Sequence, residues 1–149
     1  MSITCRKVLT LVLVVKDARM LLGFKKRGFG VGKYNGFGGK VERGETIAEG
    51  AQRELQEESG ITAVDLSQCG LLTFSFEGSE TLMEVHVFKA SKYTGDIKET
   101  GEMRPEWFPT SAIPFDSMWA DDALWFPALL AGSCFTMHAD FADEVTLIK

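Results

Sequence analysis

The sequence predicts an α/β fold, in which strands and helices build one layered domain. A continuous run of β-branched and aliphatic residues occupies positions 8–15, a stretch rich in helix formers follows at 46–59, and two alternating apolar runs come after it. With 149 residues, of which 45% are hydrophobic and 25% charged, the chain is long enough for a substantial core. We therefore expect a single domain over residues 1–149.

The first run, VLTLVLVV, predicts a strand covered on both faces, because its apolar residues do not alternate with polar ones. Residues 16–19 predict a turn, and residues 20–26 predict the returning strand. Thr10 is the only polar residue inside the first run. Its hydroxyl either bonds locally or faces a ligand cavity, and the sequence favours neither interpretation.

Residues 25–39 form a glycine-rich segment, with six glycines among fifteen residues and basic side chains at Lys25, Lys26, Arg27 and Lys33. Glycines let backbone N–H groups approach phosphate oxygens closely, although exposed loops have a similar composition. Because the predicted helix follows directly, phosphate contact is the better interpretation. Asn35 either adopts a left-handed turn conformation or forms hydrogen bonds with a base.

The stretch 46–59 predicts a helix bounded by Gly44 and Gly60. At about 100° per residue, one face carries apolar residues that should pack on the core, namely Ile47, Ala48, Ala51 and Leu55. The polar side chains Glu49, Gln52 and Gln56 are expected to point into water.

An adjacent stripe of this helix carries three carboxylates, Glu54, Glu57 and Glu58. Like charges at this spacing destabilise a helix, and anions are unfavourable near its C-terminus. A divalent cation would reverse that cost, since Mg²⁺ prefers oxygen ligands and shares its shell with substrate phosphates. A solvated acidic face is the simpler alternative, but the glycine-rich segment in front favours a metal site.

Residues 71–76 and 82–90 alternate in hydrophobicity and predict a hairpin around the polar turn 77–81. Phe74, Phe76 and Met83 are either core residues or ligand contacts. His86 is a single histidine on a predicted strand, and we assign it no chemistry.

The C-terminal third predicts an exposed acidic loop at 93–102, an extended segment at 103–108, a helix within 116–132 and a last strand near 145–148. Pro127 implies a kink or a late start of that helix. Leu124, Ala128 and Leu129 have helical spacing, and Phe135 and Phe141 lie in the tail that follows. Asp121 and Asp122 fall near the helix beginning, where carboxylates serve as caps.

The bulk properties restrict the partners of the chain. A net charge of −5 makes broad attraction to a nucleic-acid backbone unfavourable. Cys5, Cys69 and Cys134 lack ligand spacing, which argues against disulfides and zinc and for a reducing compartment. No apolar run is long enough for a membrane span, and the residues MSITCRK lack the charged-then-apolar order expected of a secretory signal. We expect a soluble intracellular monomer.

One pattern spans the glycine segment and the helix: a glycine, five residues, Glu, seven residues, then Arg-Glu-apolar-x-Glu-Glu-x-Gly-apolar. Its fixed positions are Gly39, Glu45, Arg53, Glu54, Leu55, Glu57, Glu58, Gly60 and Ile61. A pattern of this length is far more specific than a short glycine motif. The chain resembles the Nudix hydrolases, which cleave nucleoside diphosphates linked to another group with Mg²⁺ or Mn²⁺. The resemblance implies an α/β/α sandwich with a central mixed β-sheet.

The segments TLVLVV, KKRGFG, NGFGGKV, MEVHVF, GEMRPEWF, IPFDSMWADD and WFP are similar to family members that hydrolyse oxidised purine nucleoside triphosphates. Resemblance to these members implies hydrolysis of 8-oxo-dGTP and 2-hydroxy-dATP to monophosphate and pyrophosphate, which keeps damaged purines out of DNA. The cysteines and the lack of a secretory signal predict a cytoplasmic location, to which the resemblance adds mitochondrial and nuclear pools. Hydrolysis of another nucleotide (a dinucleoside polyphosphate, a nucleotide sugar or a cap) and nucleotide binding without catalysis remain alternatives.

The resemblance also implies roles for individual residues. The metal would be held by Gly38, Glu54, Glu57, Glu58 and Glu102, while Glu45 and Arg53 would form an ion pair that orients the helix. One of the three helix glutamates would act as the general base, and the sequence does not select which. The substrate-binding residues would be Thr10, Lys25, Phe29, Asn35, Phe37, Gly38, Gly39, Lys40, Phe74, Met83, Trp119, Ala120, Asp121 and Asp122.

Oxidation of guanine at C8 turns N7 from an acceptor into an N–H donor. A carboxylate at that edge would bind the oxidised base and repel the normal one. If one of Asp121 and Asp122 stays protonated, the pair presents both a donor and an acceptor. Asn35 can address another edge, and the rings of Trp119, Phe29 and Phe74 with the Met83 thioether can cover the base faces.

Overall fold

The structure, a computed structural model, describes residues 4–141. Its strands are β1 Cys5–Lys16, β2 Arg19–Lys25, β3 Tyr34–Asn35, β4 Thr62–Ala63, β5 Ser67–Phe76, β6 Thr81–Ala90, β7 Tyr93–Thr94, β8 Met103–Pro109 and β9 Phe135–Phe141. Its helices are α1 Ile47–Ser59 and α2 Asp122–Leu130, with a 3₁₀ helix at Phe115–Ser117. The strand predicted near 145–148 lies outside the described residues. No helix within residues 4–141 has the length and apolar character needed to cross a bilayer.

The central sheet is mixed, as predicted. Its strand order is β3-β2-β1-β6-β5-β9, with β8 paired to β2, and a small second sheet joins β4 to β7. Two neighbouring pairs, β1 with β6 and β5 with β9, are parallel, whereas the other pairs are antiparallel. The predicted hairpin is confirmed, since β5 and β6 pair antiparallel with Phe74 opposite Met83.

One helix packs on each face of the sheet. Along β1, Leu11 and Leu13 join a core cluster with residues of α2, while Val12 and Val14 join a second cluster with residues of α1. The strand is therefore buried on both faces, as its continuous apolar run predicted. The result is an α/β/α sandwich.

Helix α1 has the boundaries that the sequence predicted. Thr46 is its N-cap, whose hydroxyl accepts the Glu49 N–H (3.1 Å) while the Glu49 carboxylate accepts the Thr46 N–H (2.7 Å). Gly60 ends the helix in the left-handed conformation at φ 85°. Two predictions about this helix were wrong, those for Ala48 and Gln52.

Ala48 was expected on the packed face but is exposed, because the buried part of the helix begins only at Gly50.

Gln52 is the second residue of this helix that departs from expectation. Its amide does not point into water: it donates to the Ala63 carbonyl (2.8 Å) and accepts the Ala63 N–H (3.0 Å). The Gln52 side chain therefore links the helix to β4 by satisfying both backbone hydrogen-bonding groups of Ala63.

Helix α2 begins at Asp122, after the 3₁₀ helix, and Pro127 lies inside it, so the helix does not start late enough to exclude this proline. Trp125, Phe126 and Leu129 face the core. Leu124, which has helical spacing with Ala128 and Leu129, is 63% exposed, because Asp122 and Trp125 occupy the buried side of the first helical turns.

Replacing Thr46 by alanine removes the oxygen that accepts the Glu49 N–H. We expect the free energy of unfolding to fall by about 1 kcal/mol, measured by chemical denaturation. Thr46→Ser is the matched control, since serine keeps the oxygen and should retain most of the stability. Equal stability of the alanine variant and the wild type would show that this cap contributes nothing.

Candidate active site

The glycine-rich segment lies where β1 and β2 diverge. β3 pairs with the end of β2, and the chain then bonds to β1 through bridges at Phe37 and Lys40. A side chain at Gly38 would overlap the Thr10 carbonyl, and one at Gly39 would overlap the Glu54 carboxylate. Glycine is required at position 38, where the clash is with backbone, whereas a side chain at position 39 would have to displace the Glu54 carboxylate.

A cleft of about 320 Å³ opens beside this segment. The Gly38 N–H donates to Glu58 Oε1 at 2.9 Å, and Lys25 Nζ lies 3.9 Å from Glu58 Oε2. The cleft is lined by Lys25, Gly38, Gly39, Glu54, Glu57, Glu58 and Glu102. Four carboxylates from two distant segments of the chain therefore meet around one strand segment.

Burial dominates the electrostatics of the two innermost carboxylates. Glu58 is only 5% exposed, and this burial raises its pKa to about 7, against the opposing effects of the Gly38 N–H and Lys25. Burial also raises the pKa of Glu54, although Arg53 acts in the opposite direction. Both groups would be stabilised in their charged form by an added cation.

Arg53 holds the base of the cleft together. Its guanidinium lies 2.8 Å from Glu45 Oε1, 3.3 Å from Glu57 Oε1 and 3.5 Å from Glu54 Oε2. The same group donates to the Lys40 carbonyl at 3.0 Å. Its hydrogen bond lowers the pKa of Glu45. Arg53 and Glu45 thus tie the helix to the loop before it, in the arrangement expected of an orienting ion pair.

The donor set of the cleft fits a hard divalent cation, because it consists of carboxylate and backbone oxygens around a buried, electrostatically unfavourable pair. Within residues 4–141, no three His, Cys, Asp or Glu side chains converge closely enough to form a ready ligand set. Glu57 instead pairs with Arg53, and Glu102 pairs with Lys25 (3.4 Å) and Arg27 (2.9 Å). Cation binding at these residues therefore requires an exchange of ion-pair partners.

A second, more apolar cavity of about 370 Å³ adjoins the cleft and shares four of its lining residues. It lies between the sheet and the segment that leads into α2. Eleven of the predicted substrate-binding residues are in its wall: Thr10, Lys25, Phe29, Asn35, Gly38, Gly39, Phe74, Met83, Trp119, Asp121 and Asp122.

Three predicted substrate-binding residues do not line the cavity. Phe37 is completely buried in the core cluster beneath α1, because its side chain points to the opposite face of the sheet. Lys40 is exposed beyond the end of the cavity, where its carbonyl accepts from Arg53. Ala120 is exposed between Trp119 and Asp121, which both face inward.

The sequence reading missed several wall residues. Strand alternation from the predicted hairpin would have indicated Leu72 and Val85, which follow the spacing of Phe74 and Met83. Trp125 was detectable as the i+4 neighbour of Asp121. No local signal indicated that β9 lies beside β5, which brings Phe141 to the wall, or that β1 lies beside β6, which brings Lys7, Leu9 and Leu11 there.

Asp121 and Asp122 are buried in the cavity wall, at 1% and 3% exposure. Trp125 Nε1 donates to Asp121 Oδ2 at 2.8 Å, so the cap interpretation is wrong: neither side chain makes a capping bond. Asp122 Oδ2 has no hydrogen-bond partner among the described residues. Burial raises the pKa of both carboxyls, and the charge of Asp121 raises that of Asp122 further.

Aromatic rings form the opposite rim. Phe29 stacks on Trp119 with ring centroids 5.1 Å apart, and Lys33 Nζ lies 5.2 Å from the Trp119 ring centroid. Asn35 Oδ1 accepts the Gly36 N–H at 2.8 Å, and Asn35 is not in the left-handed region. The Thr10 hydroxyl lies 3.4 Å from the Gly39 carbonyl at the cavity wall, so both of its predicted roles are compatible with its position.

The sandwich, with helix-borne carboxylates against a glycine-rich segment and an aromatic cavity alongside, defines a hydrolase of phosphoanhydride bonds. The profile of the NUDIX domain matches residues 6–129, and the chain belongs to the Nudix family. Enzymes of this family act on pyrophosphate bonds of small nucleotide substrates and generally depend on a divalent metal.

Individual relatives extend over nearly the whole chain. An oxidized purine nucleoside triphosphate hydrolase of Danio rerio is 52% identical over 143 residues, covering 96% of this chain and 92% of the relative. The Mus musculus protein of the same name is 51% identical with the same coverage. The crystal structure of a MutT protein from Bacillus halodurans superposes with a TM-score of 0.86 at 27% identity, covering 96% of this chain and 95% of that one.

Glu58 should destabilise the folded protein when it is ionised without a cation. The pKa of Glu58 is about 7 in the folded protein, above the ordinary value of 4.5. The loss of stability caused by its charge is therefore absent below pH 4.5 and complete above about pH 7. The free energy of unfolding of Glu58→Gln should therefore exceed that of the wild type by up to roughly 3 kcal/mol near pH 8. This gain in stability should vanish in acid.

Denaturation in the presence of a chelator, repeated across this pH range, measures the effect. Glu57→Gln is the matched control, since Glu57 is a more exposed carboxylate of the same stripe. A gain that does not depend on pH would contradict the electrostatic origin.

Proposed function

We propose that this protein hydrolyses oxidised purine nucleoside triphosphates, 8-oxo-dGTP and 2-hydroxy-dATP, to the monophosphate and pyrophosphate. Such an activity removes damaged purines from the nucleotide pool before they enter DNA. Its support is the pair of relatives at 51% and 52% identity, which carry the name of that activity. The observation that carries the proposal is Asp122 Oδ2, a buried polar atom without a partner among the described residues, in the wall of an aromatic cavity.

The two aspartates would read the base. Burial raises the pKa of both carboxyls, and the charge of Asp121 raises that of Asp122 further, so one member of the pair stays protonated and donates. The other member stays ionised and accepts. A carboxylate facing N7 gains a hydrogen bond from the oxidised base and meets a repelling lone pair on normal guanine.

The other wall residues would position the ring. Phe29, Phe74, Trp119 and Met83 offer apolar and aromatic contacts to the base faces. Asn35 retains its amide N–H groups for the base, because its oxygen accepts from Gly36. Base recognition and hydrolysis then take place in adjoining sites that share Lys25, Gly38, Gly39 and Glu58.

The cleft residues would perform the hydrolysis. We propose that Glu54, Glu57, Glu58 and Glu102 and the Gly38 carbonyl hold Mg²⁺, with Mn²⁺ as a substitute. When bound, such an ion polarises phosphorus and lowers the pKa of water. A glutamate not engaged as a ligand accepts the proton of the attacking water. Lys25 neutralises charge on the phosphates, and Arg53 with Glu45 keeps the helix in register.

We further propose that the protein acts as a monomer on free nucleotides, in the cytoplasm and also in the mitochondrial matrix and nucleus. The net charge of −5 supports small nucleotides rather than nucleic-acid polymers as partners. Fractionation of cells, with immunodetection of the protein, tests the location. Light scattering tests the monomer.

A substrate panel with Mg²⁺ tests the activity. It compares 8-oxo-dGTP and 2-hydroxy-dATP with dGTP, a dinucleoside polyphosphate, a nucleotide sugar and a capped dinucleotide. We expect the highest kcat/KM for an oxidised purine triphosphate, with pyrophosphate as the product. Faster turnover of dGTP or of a dinucleotide would reject the proposal in favour of another Nudix activity. Absence of turnover in the whole panel would favour a binding module.

Asp122→Ala should lower kcat/KM for 8-oxo-dGTP by roughly 10- to 100-fold, because it removes a buried hydrogen-bond partner of the base. The loss for dGTP should be smaller, so the ratio of the two values falls. Asp116→Ala is the matched control, since Asp116 is an exposed aspartate of the same connection. Equal losses for both nucleotides would show that Asp122 does not discriminate between them.

A further inference from the structure

Three consecutive cations precede the aromatic rim, and they pair with two different glutamates. Lys25 Nζ lies 3.4 Å from Glu102 Oε2, and Arg27 donates from Nε to Glu102 Oε1 at 2.9 Å. Lys26, between them, pairs instead with Glu99 at 2.6 Å and donates to the Thr100 carbonyl at 2.9 Å. Glu102 therefore carries two cationic partners, and the neighbouring Glu99 carries one.

Glu102 lies in the wall of the glutamate cleft, whereas Glu99 does not. Lys25 and Arg27 lie 3.4 Å and 2.9 Å from the two oxygens of Glu102, so the charge of this carboxylate is already neutralised by cationic side chains. It cannot serve a divalent cation fully while Arg27 occupies Oε1. The positive charge of Arg27 also opposes any other cation that approaches the same oxygen. The ion pair is thus in competition with metal ligation.

Arg27 is well suited to leave. Its side chain is 70% exposed, so its ion pair is a weak one that costs little to break. Its planar guanidinium matches the geometry of phosphate oxygens, which a lysine ammonium does not. A nucleoside triphosphate would bring negative charges to the cleft at the same time as Glu102 begins to coordinate a metal cation.

We propose that Arg27 exchanges partners during catalysis, from Glu102 in the free enzyme to the β- and γ-phosphates of the bound triphosphate. Glu102 gives up Arg27 as it becomes a metal ligand, and the released guanidinium binds the part of the substrate that leaves as pyrophosphate. The inference rests on the proposed function, because it needs a substrate with at least two phosphates beyond the nucleoside monophosphate. Arg27 is then a residue that distinguishes triphosphate from monophosphate.

The exchange makes two opposite demands on one side chain. Loss of Arg27 should strengthen metal binding without nucleotide, because a competing positive charge disappears. The same change should weaken triphosphate binding, because the released group is missing. A merely structural defect would weaken both.

The test compares Arg27→Ala, Arg27→Lys and the matched control Lys26→Ala, which removes the same charge from the adjacent, Glu99-bound position. Mn²⁺ binding without nucleotide is measured by electron paramagnetic resonance, and binding of monophosphate product by calorimetry. Steady-state kinetics with triphosphate separate KM from kcat. Thermal denaturation confirms that each variant is folded.

For Arg27→Ala we expect Mn²⁺ affinity to rise about 2- to 5-fold and KM for the triphosphate to rise about 10-fold. Monophosphate affinity should stay within about 2-fold, since the monophosphate lacks the groups that Arg27 would contact. Arg27→Lys should restore part of the KM, and Lys26→Ala should change each quantity by less than about 2-fold.

Weaker Mn²⁺ binding in Arg27→Ala, an unchanged KM, or equal effects in Lys26→Ala would each overturn the proposal. The Mn²⁺ measurement contains no nucleotide, so it decides the competition at Glu102 whatever the substrate is. If the wild type prefers another triphosphate, the proposed substrate class fails. The same comparison with that triphosphate then still decides the role of Arg27.

Discussion

The contact between the glycine-rich segment and the carboxylates of α1 is the constraint on which the site depends. Gly38 passes so close to the Thr10 carbonyl that no side chain fits there, and a side chain at Gly39 would displace the Glu54 carboxylate. The closeness lets the Gly38 N–H reach Glu58, and it places the glutamate cleft next to the aromatic cavity. Gly38 and Gly39 therefore lie between the glutamate cleft and the aromatic cavity and line both of them.

Ion pairs with arginine side chains neutralise part of the negative charge of the cleft. Arg53 and Arg27 each neutralise carboxylates that a cation would otherwise meet directly. Glu58 is different, because burial raises its pKa and leaves it with only the Gly38 N–H and a distant Lys25. Its ionised form is therefore costly until a cation is present, which is the trade of stability for function expected at a catalytic site.

The aromatic cavity applies the same logic to a different ligand. Asp122 is buried beside Asp121, and one of its oxygens has no partner among the described residues. A buried polar atom without a hydrogen bond destabilises a folded protein, and a ligand in the cavity could supply the missing hydrogen bond. Aromatic rings line the same cavity, and a hydrogen bond between Asp122 and a ligand would be strengthened by the low dielectric constant of these surroundings.

Local patterns in the sequence determined much of this protein. The boundaries of α1, the β5–β6 hairpin and the placement of Glu54, Glu57 and Glu58 on one stripe of α1 could be predicted. Capping, alternation and helical spacing act between near neighbours in the sequence. Only the tertiary structure decided that Phe37 is core, that Asp122 is buried rather than a cap, and that Glu102 pairs with Arg27. These outcomes depend on which distant segments share a face of the sheet, and that pairing leaves no periodicity in the sequence.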